Sequence, residues 1–206
     1  MSIIEITHCV GNQFLEWSKI TTLALPLEHK AVYGNKDINE TIQINTEVIQ
    51  SIDSQDKFFN FYIVKVDNNY VGAFKVRKFV KGGYFKTKQF KIMRKHMGFW
   101  SALKGFLVVK IFADNRIPKD ALVIDIFGVV KNYRRRGIGF AMVDHIVKIA
   151  KENSLETIQV EVDATNQSVI NFYKNSGFIV KKEVKPPFLT KIFHVPNDYL
   201  MVKDVS

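Results

Sequence analysis

The sequence is poor in cysteine, and its histidines are scattered. Cys9 is the only cysteine in 206 residues, so no internal disulfide can form and the small disulfide-framework class is excluded. A lone thiol suits a reducing compartment. The five histidines show no metal-ligand spacing, and without a second cysteine we expect no zinc site.

Long apolar runs are also missing. No stretch approaches the roughly 20 apolar residues that a membrane helix requires, because Lys104, Lys110 and Asp125 interrupt the most hydrophobic segments. The first twenty residues lack the basic start and apolar block of a secretory signal. The sequence therefore predicts a cytoplasmic protein without an integral membrane segment. Its length and its 47% hydrophobic content predict a single globular domain over residues 1–206.

Acidic residues are absent from one long segment. Residues 70–113 carry 11 Lys and Arg and no Asp or Glu, whereas residues 1–69 carry 5 basic and 9 acidic side chains. The net charge of +10 therefore resides mainly in this segment. Such a concentration attracts an acidic partner, which could be a phosphorylated ligand, a nucleic acid or an anionic membrane surface. A solvated basic face that serves only solubility is the alternative.

The most informative stretch lies late in the chain. A strand is predicted over residues 122–130, followed by a basic loop over 131–136 and by Gly137 and Gly139. Apolar residues then recur at spacings of three and four, which predicts a helix over 140–153. A helix with free first amides, preceded by glycines and arginines, is a ready site for phosphate.

Three phosphate-binding motifs compete for this geometry. The P-loop is excluded because no Lys, Ser or Thr follows Gly139. The dinucleotide fingerprint is weak because Met142 stands where its third glycine belongs. The pattern that fits is Arg/Gln-x-x-Gly-x-Gly/Ala. Its residues here are Arg134, Arg135, Arg136, Gly137, Ile138 and Gly139, and they resemble the acetyl-CoA pyrophosphate loop of the GNAT superfamily of N-acetyltransferases.

A second motif follows a predicted strand over residues 157–163. Residues 166–178 resemble the second signature of the same superfamily, Asn-x-x-Ala-x-x-x-Tyr-x-x-x-Gly-Phe. The residues in register with it are Asn166, Tyr173, Gly177 and Phe178. Val169 stands where a small residue is usual. With both signatures in the right order, the chain is identified as a member of this superfamily.

The resemblance implies an α/β fold of the α+β kind, with a central mixed, mostly antiparallel sheet flanked by helices. It implies that acetyl-CoA is the cosubstrate and that its acetyl group passes to a primary amine in a ternary complex. Strand backbone would contact the pantetheine arm and the thioester oxygen, the first helical amides would hold the pyrophosphate, and Asn166 would fix the second helix and reach the cofactor. The expected cofactor-binding residues are Phe127, Gly128, Val129, Arg134, Arg135, Arg136, Gly137, Ile138, Gly139, Phe140, Asn166 and Tyr173. Gly128 also suggests a bulge or a close ligand approach.

For the leaving thiolate of CoA, the resemblance points to Tyr173 as the proton donor. A phenol near pKa 10 giving its proton to a thiolate near 8.5 is uphill by roughly 2 kcal/mol, which a modest electrostatic bias would cancel. The alternative is that Tyr173 only packs as a helix aromatic beside Phe172.

For the base that takes the proton of the amine, two carboxylates are candidates. Glu161 and Asp125 both match strand positions that supply a base in members of the superfamily, and a water relay without a single base is the third possibility. Either carboxylate could instead be paired or solvated. Asp125 lies in an apolar run, so it must have a partner if it is buried.

The rest of the chain has the element order that the resemblance requires. The predicted elements are a strand over residues 2–9, helices over 12–25 and 37–52, a hairpin of strands over 58–66 and 70–79, and closing strands over 179–185, 192–195 and 199–202. Pro26 is expected to end the first helix. Asp67 and Asn68 favour the hairpin turn.

Residues 86–113 form an insert that the resemblance does not cover. Apolar residues recur there at helical spacing, Thr87 could cap the helix, and Gly98 and Gly105 weaken it and could split it in two. We expect this amphipathic insert to add core over the sheet, to form a lid on the acceptor pocket, or to lie on a membrane.

Two other functions remain open from the sequence. The chain could be a catalytically silent CoA-binding module that docks an acidic partner through the basic insert, or, less favoured because it depends on residues 70–113 alone, a nucleic-acid binder. A homodimer is possible. The amine acceptor, whether protein, polyamine, antibiotic or metabolite, is not specified by any motif.

Overall fold

The computed structural model describes residues 3–53, 59–79, 87–113, 118–184 and 197–206. Within these ranges the strands are β1 (Ile4–His8), β2 (Phe59–Val66), β3 (Asn69–Lys78), β4 (Ala121–Val129), β5 (Thr157–Asp163), β6 (Ile179–Val184) and β7 (Asp198–Asp204). They form one sheet in the order β1-β2-β3-β4-β5-β7-β6. Among the described pairs β4 and β5 alone are parallel, so the predicted mixed, mostly antiparallel sheet is confirmed.

Helices cover both faces of this sheet. The described helices are α1 (Gln13–Ala24), α2 (Pro26–Tyr33), α3 (Ile38–Asp53), α4 (Thr87–Met97), α5 (Phe99–Ala113), α6 (Ile138–Glu152) and α7 (Gln167–Asn175). One face of the sheet forms a core with α6 and α7, around Met142, Ile146 and Phe178. The other face forms a core with α1 to α5, around Trp17, Ile44 and Phe61.

The hairpin turn confirms the predicted β2–β3 pair, and α1 ends before Pro26 as predicted. Asp67 and Asn68 have φ values of +49° and +65°, as a tight hairpin turn requires. Pro26 does not simply end α1, because it also begins the unpredicted helix α2. Proline is well tolerated at this first position, where its missing N–H would have no partner within the helix.

The insert is a pair of helices, α4 and α5, separated by Gly98 at φ +75°. The pair packs mainly on α2 and α3 and buries Met93 and Ala102. A Cβ atom on Gly105 would lie 2.3 Å from the carbonyl oxygen of Val32. This glycine, which weakens α5 as an isolated helix, is therefore required for the close approach of α5 to α2.

The closing strands β6 and β7 pair antiparallel, as predicted for residues 179–185 and 199–202. β7 lies between β5 and β6. The strand predicted over 192–195, and the prolines at 186 and 187, lie outside the described residues.

Candidate active site

The parallel strands β4 and β5 separate halfway along their length. Ala121–Ile124 pair with Thr157–Val160, and within the described residues the two strands do not pair beyond Ile124. β4 stays paired with β3 as far as Val129, and β5 stays paired with β7 as far as Asp163. We call the wedge between these diverging strand ends the fork. Its backbone edges are available to an extended ligand, which can bind as an added strand does.

The loop that leaves β4 has a backbone suited to anions. A 3-10 turn over Lys131–Tyr133 follows the strand. Arg135 and Gly137 then adopt left-handed φ values of +61° and +79°. Left-handed residues placed among right-handed or extended ones form concave nests of N–H groups that bind anions.

The first amides of α6 are free. Gly137 is the N-cap, and no side chain caps the helix. The first helical bond runs from the Ala141 N–H to the Gly137 carbonyl at 3.0 Å. The amides of Ile138, Gly139 and Phe140 therefore have no acceptor among the described residues, and they lie at the positive end of the helix dipole.

The three arginines of the loop are exposed. Nε of Arg134 donates to the carbonyl of Val129 at 2.9 Å, and the guanidinium of Arg136 lies 5.2 Å from the ring centroid of Tyr133. No salt bridge joins Arg134, Arg135 or Arg136 to a carboxylate in the part of the chain that the structure describes. Their charge is therefore available to a phosphate. The Val129 carbonyl, which was expected to contact the pantetheine arm, already accepts a hydrogen bond from Arg134.

Gly139 of the first motif and Gly128 of β4 both lie close to neighbouring side chains. A Cβ atom on Gly139 would lie 3.0 Å from a ring carbon of Phe172, and one on Gly128 would lie 2.8 Å from the Cβ atom of Ala24. The close approach at Gly128 is therefore that of α1. The bulge of β4 is elsewhere, at Asp125, because Lys75 pairs with Ile126 while Val76 pairs with Ile124.

Tyr173 belongs to an aromatic cluster on the α6 side of the sheet. Its ring centroid lies 6.0 Å from that of Phe127, 5.0 Å from that of Phe172 and 5.1 Å from that of Phe178. The ring of Phe140, at the start of α6, lies 5.3 Å from that of Phe172. The structure thus brings the predicted proton donor together with the strand and the helix start of the first motif.

The phenol of Tyr173 is buried but not sealed. The residue is 3% exposed, and burial raises its pKa above the ordinary value, so the group keeps its proton at neutral pH. Its hydroxyl makes no hydrogen bond with the described residues. Among the described residues, the side-chain oxygens of Ser18 and Thr22 are fully buried and have no hydrogen-bond partner. The hydroxyl oxygen of Tyr173 does not belong to this group. The Tyr173 oxygen therefore retains some contact with solvent.

Asp125 is held by two cations of β3. One carboxylate oxygen accepts from Nε of Arg77, and the other lies 3.0 Å from Nζ of Lys75. All three side chains are largely buried. Burial lowers the pKa of Lys75, and the pairing with Asp125 opposes that change. Because both oxygens are engaged, Asp125 is poorly placed to accept a proton from a substrate.

The partner that a buried Asp125 requires is therefore present, but sequence reasoning did not identify it. Lys75 and Arg77 alternate along β3 with Phe74 and Val76, which pack in the α6-side core. The sequence does contain a signal for this ion-pair cluster, because two cations occupy alternating positions of an otherwise apolar strand. They place a charged cluster on the opposite face of the sheet, beneath α1 to α5.

Glu161 lies on the same face as Asp125, across the fork. Its neighbours in β5, Val160 and Val162, are buried in the α6-side core, so alternation directs Glu161 to the other face. It follows Val160, the last β5 residue paired with β4, and it pairs with Leu200 of β7. The two candidate bases thus flank the point where the strands separate, on the side opposite Tyr173.

Asn166 is the N-cap of α7, and its side-chain oxygen accepts from the Val169 N–H at 3.2 Å. The expected contact that fixes the start of α7 is present.

Among the described residues no group of three His, Cys, Asp or Glu side chains could hold a metal ion. None of the helices in the described ranges is long and apolar enough to cross a membrane.

Comparison with known proteins matches residues 36–178 to the Acetyltransferase (GNAT) family, which is more than half of the chain. The probable N-acetyltransferase san of Drosophila melanogaster is 38% identical over 66 residues, which are 32% of this chain and 36% of that protein. The N-alpha-acetyltransferase of Sulfurisphaera tokodaii is 30% identical over 126 residues, 61% of this chain and 58% of that protein. The chain thus aligns with less than two thirds of the length of these relatives.

A solved structure agrees with the family match. The Bacillus subtilis acetyltransferase in complex with CoA superposes over 100% of both chains with a TM-score of 0.57 at 12% identity. Identity this low shows a shared fold and no more. The family match, the two motifs and the fork between β4 and β5 together lead to one conclusion: the chain belongs to the GNAT acetyltransferase family.

Proposed function

We propose that this chain binds acetyl-CoA in the fork and transfers its acetyl group to a primary amine in a ternary complex. The observation that carries the proposal is the placement of the free amides of Ile138, Gly139 and Phe140 at the end of the strand whose edge the fork exposes. A ligand with a diphosphate at one end and an extended amide-bearing arm matches both features. The CoA complex of the Bacillus subtilis relative supports the same cofactor.

We further propose that the acceptor is the α-amino group of a protein or peptide. The Sulfurisphaera relative is named as an N-alpha-acetyltransferase. An α-amine has a pKa near 8, so a substantial fraction is neutral at physiological pH and a single carboxylate suffices as base. We propose Glu161 as this base, because it directly follows the last β5 residue that pairs with β4 and so lies at the fork.

In this mechanism the base and the acid act from opposite faces of the sheet at the fork. On the α1 side, Glu161 or a water bound to it takes the amine proton. On the α6 side, Tyr173 gives a proton to the leaving sulfur of CoA. Burial makes the phenol a weaker acid, but the same desolvation raises the pKa of a thiolate beside it, so the proton transfer need not become more unfavourable.

A thiol-release assay with matched peptides tests this function. We expect peptides with a free N-terminus to release CoA thiol and gain one acetyl group at the α-amine, located by mass spectrometry. The same peptides blocked at the N-terminus but carrying a free lysine are the control and should remain unmodified. Binding of CoA without acetylation of any peptide, lysine or polyamine would contradict transfer and favour the silent CoA-binding module.

A charge placed at the start of α6 tests the anion site. Phe140 is half-exposed and lies in the first turn. Phe140→Glu should weaken CoA binding about tenfold or more, because a carboxylate about 6 Å from the pyrophosphate repels it by roughly 1.4 kcal/mol at an effective dielectric constant of about 40. The same carboxylate should leave the thermal stability unchanged or raise it, since an acid favours a helix N-terminus.

The matched control is Phe140→Gln, which loses the same ring contact with Phe172 but adds no charge. Calorimetric titration with CoA compares the two. Equal affinities for the Glu and Gln variants would contradict pyrophosphate binding at these amides.

A further inference from the structure

The outer side of the α4–α5 pair combines exposed apolar side chains with cations. Trp100 is 79% exposed, Phe99 49% and Leu107 48%. We define the α4–α5 surface by these three residues together with the exposed cations Lys88, Lys91 and Arg94. No role in acetyl transfer has been assigned to any of them.

The exposed aromatic side chains are held in place. The ring of Phe90 lies 6.1 Å from that of Phe99 and 5.5 Å from that of Phe106, and Phe99 in turn contacts Trp100 at 5.3 Å. Trp100 is therefore the solvent-facing end of a row of edge-to-face aromatic contacts. Leu107 follows Trp100 by seven residues, so both lie on one side of α5.

The inner side of α5 already supplies the contacts that the fold needs. Ala102, Gly105 and Val108 are buried, and Gly105 lies against Val32 of α2. Trp100 and Leu107 thus do not contribute to the buried core. Large apolar side chains that are exposed together, beside polar residues, are typical of a surface that binds a partner.

The charge of the same surface is not neutralised. Within the described ranges, Lys88, Lys91 and Arg94 form no salt bridge. Glu47 of α3 bonds instead to His96 at 2.9 Å. The sequence has no Asp or Glu between residues 70 and 113. A partner of this surface must therefore bring negative charge.

We propose that the α4–α5 surface binds the surface of an anionic lipid bilayer. Lysines at the headgroup level, with a tryptophan and a leucine reaching the acyl boundary, are the composition of an interfacial helix. A second copy of the chain would bring like charges together. A nucleic acid would leave Leu107 without an apolar partner, and most of the cations here are lysines, which lack the bidentate fork of arginine. This inference does not depend on acetyl transfer.

The two tryptophans make the test direct. Trp17 is fully buried in the core, whereas Trp100 is exposed, so a change of solvent around the surface alters the emission of Trp100. The full chain is mixed with vesicles of phosphatidylcholine alone, or with about 30% phosphatidylserine, at about 0.1 M salt. We expect co-sedimentation and a blue shift only with the anionic vesicles, and quenching by bromine on the upper acyl chains.

Variants separate the two contributions. Lys88→Gln with Lys91→Gln should weaken vesicle binding about twenty-five-fold, since each lysine near an anionic surface contributes about fivefold. Trp100→Ser should weaken it about tenfold. The controls are Lys151→Gln with Lys174→Gln, and Ile179→Ser on β6, which remove exposed cations and an exposed apolar side chain elsewhere and should bind like wild type. Circular dichroism checks that every variant is folded.

Absence of binding to anionic vesicles would overturn the proposal. So would binding that the variants of the α4–α5 surface reduce no more than the controls do. Preferential binding to duplex DNA over vesicles of equal phosphate concentration would overturn it in favour of a nucleic-acid site. Loss of the blue shift in Trp100→Phe, with co-sedimentation retained, would support it.

Discussion

A Tyr173→Phe variant is expected to transfer acetyl groups about a hundredfold more slowly than the wild-type protein, with the affinity for CoA unchanged. The substitution removes the hydroxyl and keeps the ring that packs on Phe127, Phe172 and Phe178. General acid catalysis typically contributes 10²–10⁴-fold, and water reaching the sulfur would replace part of it. Steady-state kinetics with a thiol-release readout gives kcat, and calorimetry gives the dissociation constant of CoA.

The matched control is Tyr62→Phe. Tyr62 is also buried, its ring stacks on Phe74 at 4.7 Å, and burial raises its pKa to about 12. Its position by β1 and α6 is away from the fork. Equal kcat values for Tyr173→Phe and the wild type would show that Tyr173 only packs.

The second large effect concerns the two carboxylates that flank the fork. Glu161→Gln should lower kcat/KM for a peptide amine about a hundredfold at neutral pH. The loss should shrink as the pH rises above about 8, because a growing fraction of the α-amine is already neutral and its ammonium form no longer has to be deprotonated before attack. A pH profile of kcat/KM for the variant and the wild type measures this.

Asp125→Asn should behave in the opposite way. It removes the carboxylate that pairs with two largely buried cations, Lys75 and Arg77, so we expect a loss of about 3 kcal/mol in the free energy of unfolding. Urea denaturation measures this loss. The activity of the molecules that remain folded should fall less than that of Glu161→Gln. A stable but inactive Asp125→Asn protein, beside an active Glu161→Gln protein, would reverse the assignment of the base.

The backbone of the loop and helix start over residues 134–140 was predictable because its determinants are local in sequence. Gly137 marks a left-handed position, the arginines precede it, and the apolar spacing specifies the helix that follows. Each of these features depends on only a few neighbouring residues, so a short sequence motif is enough to predict it. The capping of α7 by Asn166 is local in the same sense.

The surroundings of Asp125 and the helices α2 and α5 were less predictable because their determinants are contacts between distant segments. The bulge at Asp125 and its pairing with Lys75 and Arg77 depend on the register of β3 against β4, which no local pattern specifies. The start of α2 at Pro26 is not evident from the sequence, because proline is found both after the end of a helix and at the first position of one. Gly105 weakens α5 as an isolated helix, and only the approach to Val32 explains it.

The division between α4 and α5 depends partly on local sequence and partly on contacts with distant segments. Gly98 was recognised as a weak point, and its φ of +75° is the left-handed value that ends one helix and lets another begin. Which sides of the two helices would be exposed required their packing on α2 and α3. The exposure of Trp100 could not be inferred from spacing alone.

The most direct test of the central claim is an amide chemical-shift titration of the ¹⁵N-labelled protein with CoA. The account predicts that the largest shifts fall on Ile138, Gly139 and Phe140, whose amides are free without ligand, with smaller shifts along residues 127–129 of β4. Pantetheine, which lacks the diphosphate, should move the strand amides and leave those three nearly unchanged. Saturating CoA that shifts amides elsewhere while Ile138, Gly139 and Phe140 stay in place would contradict it.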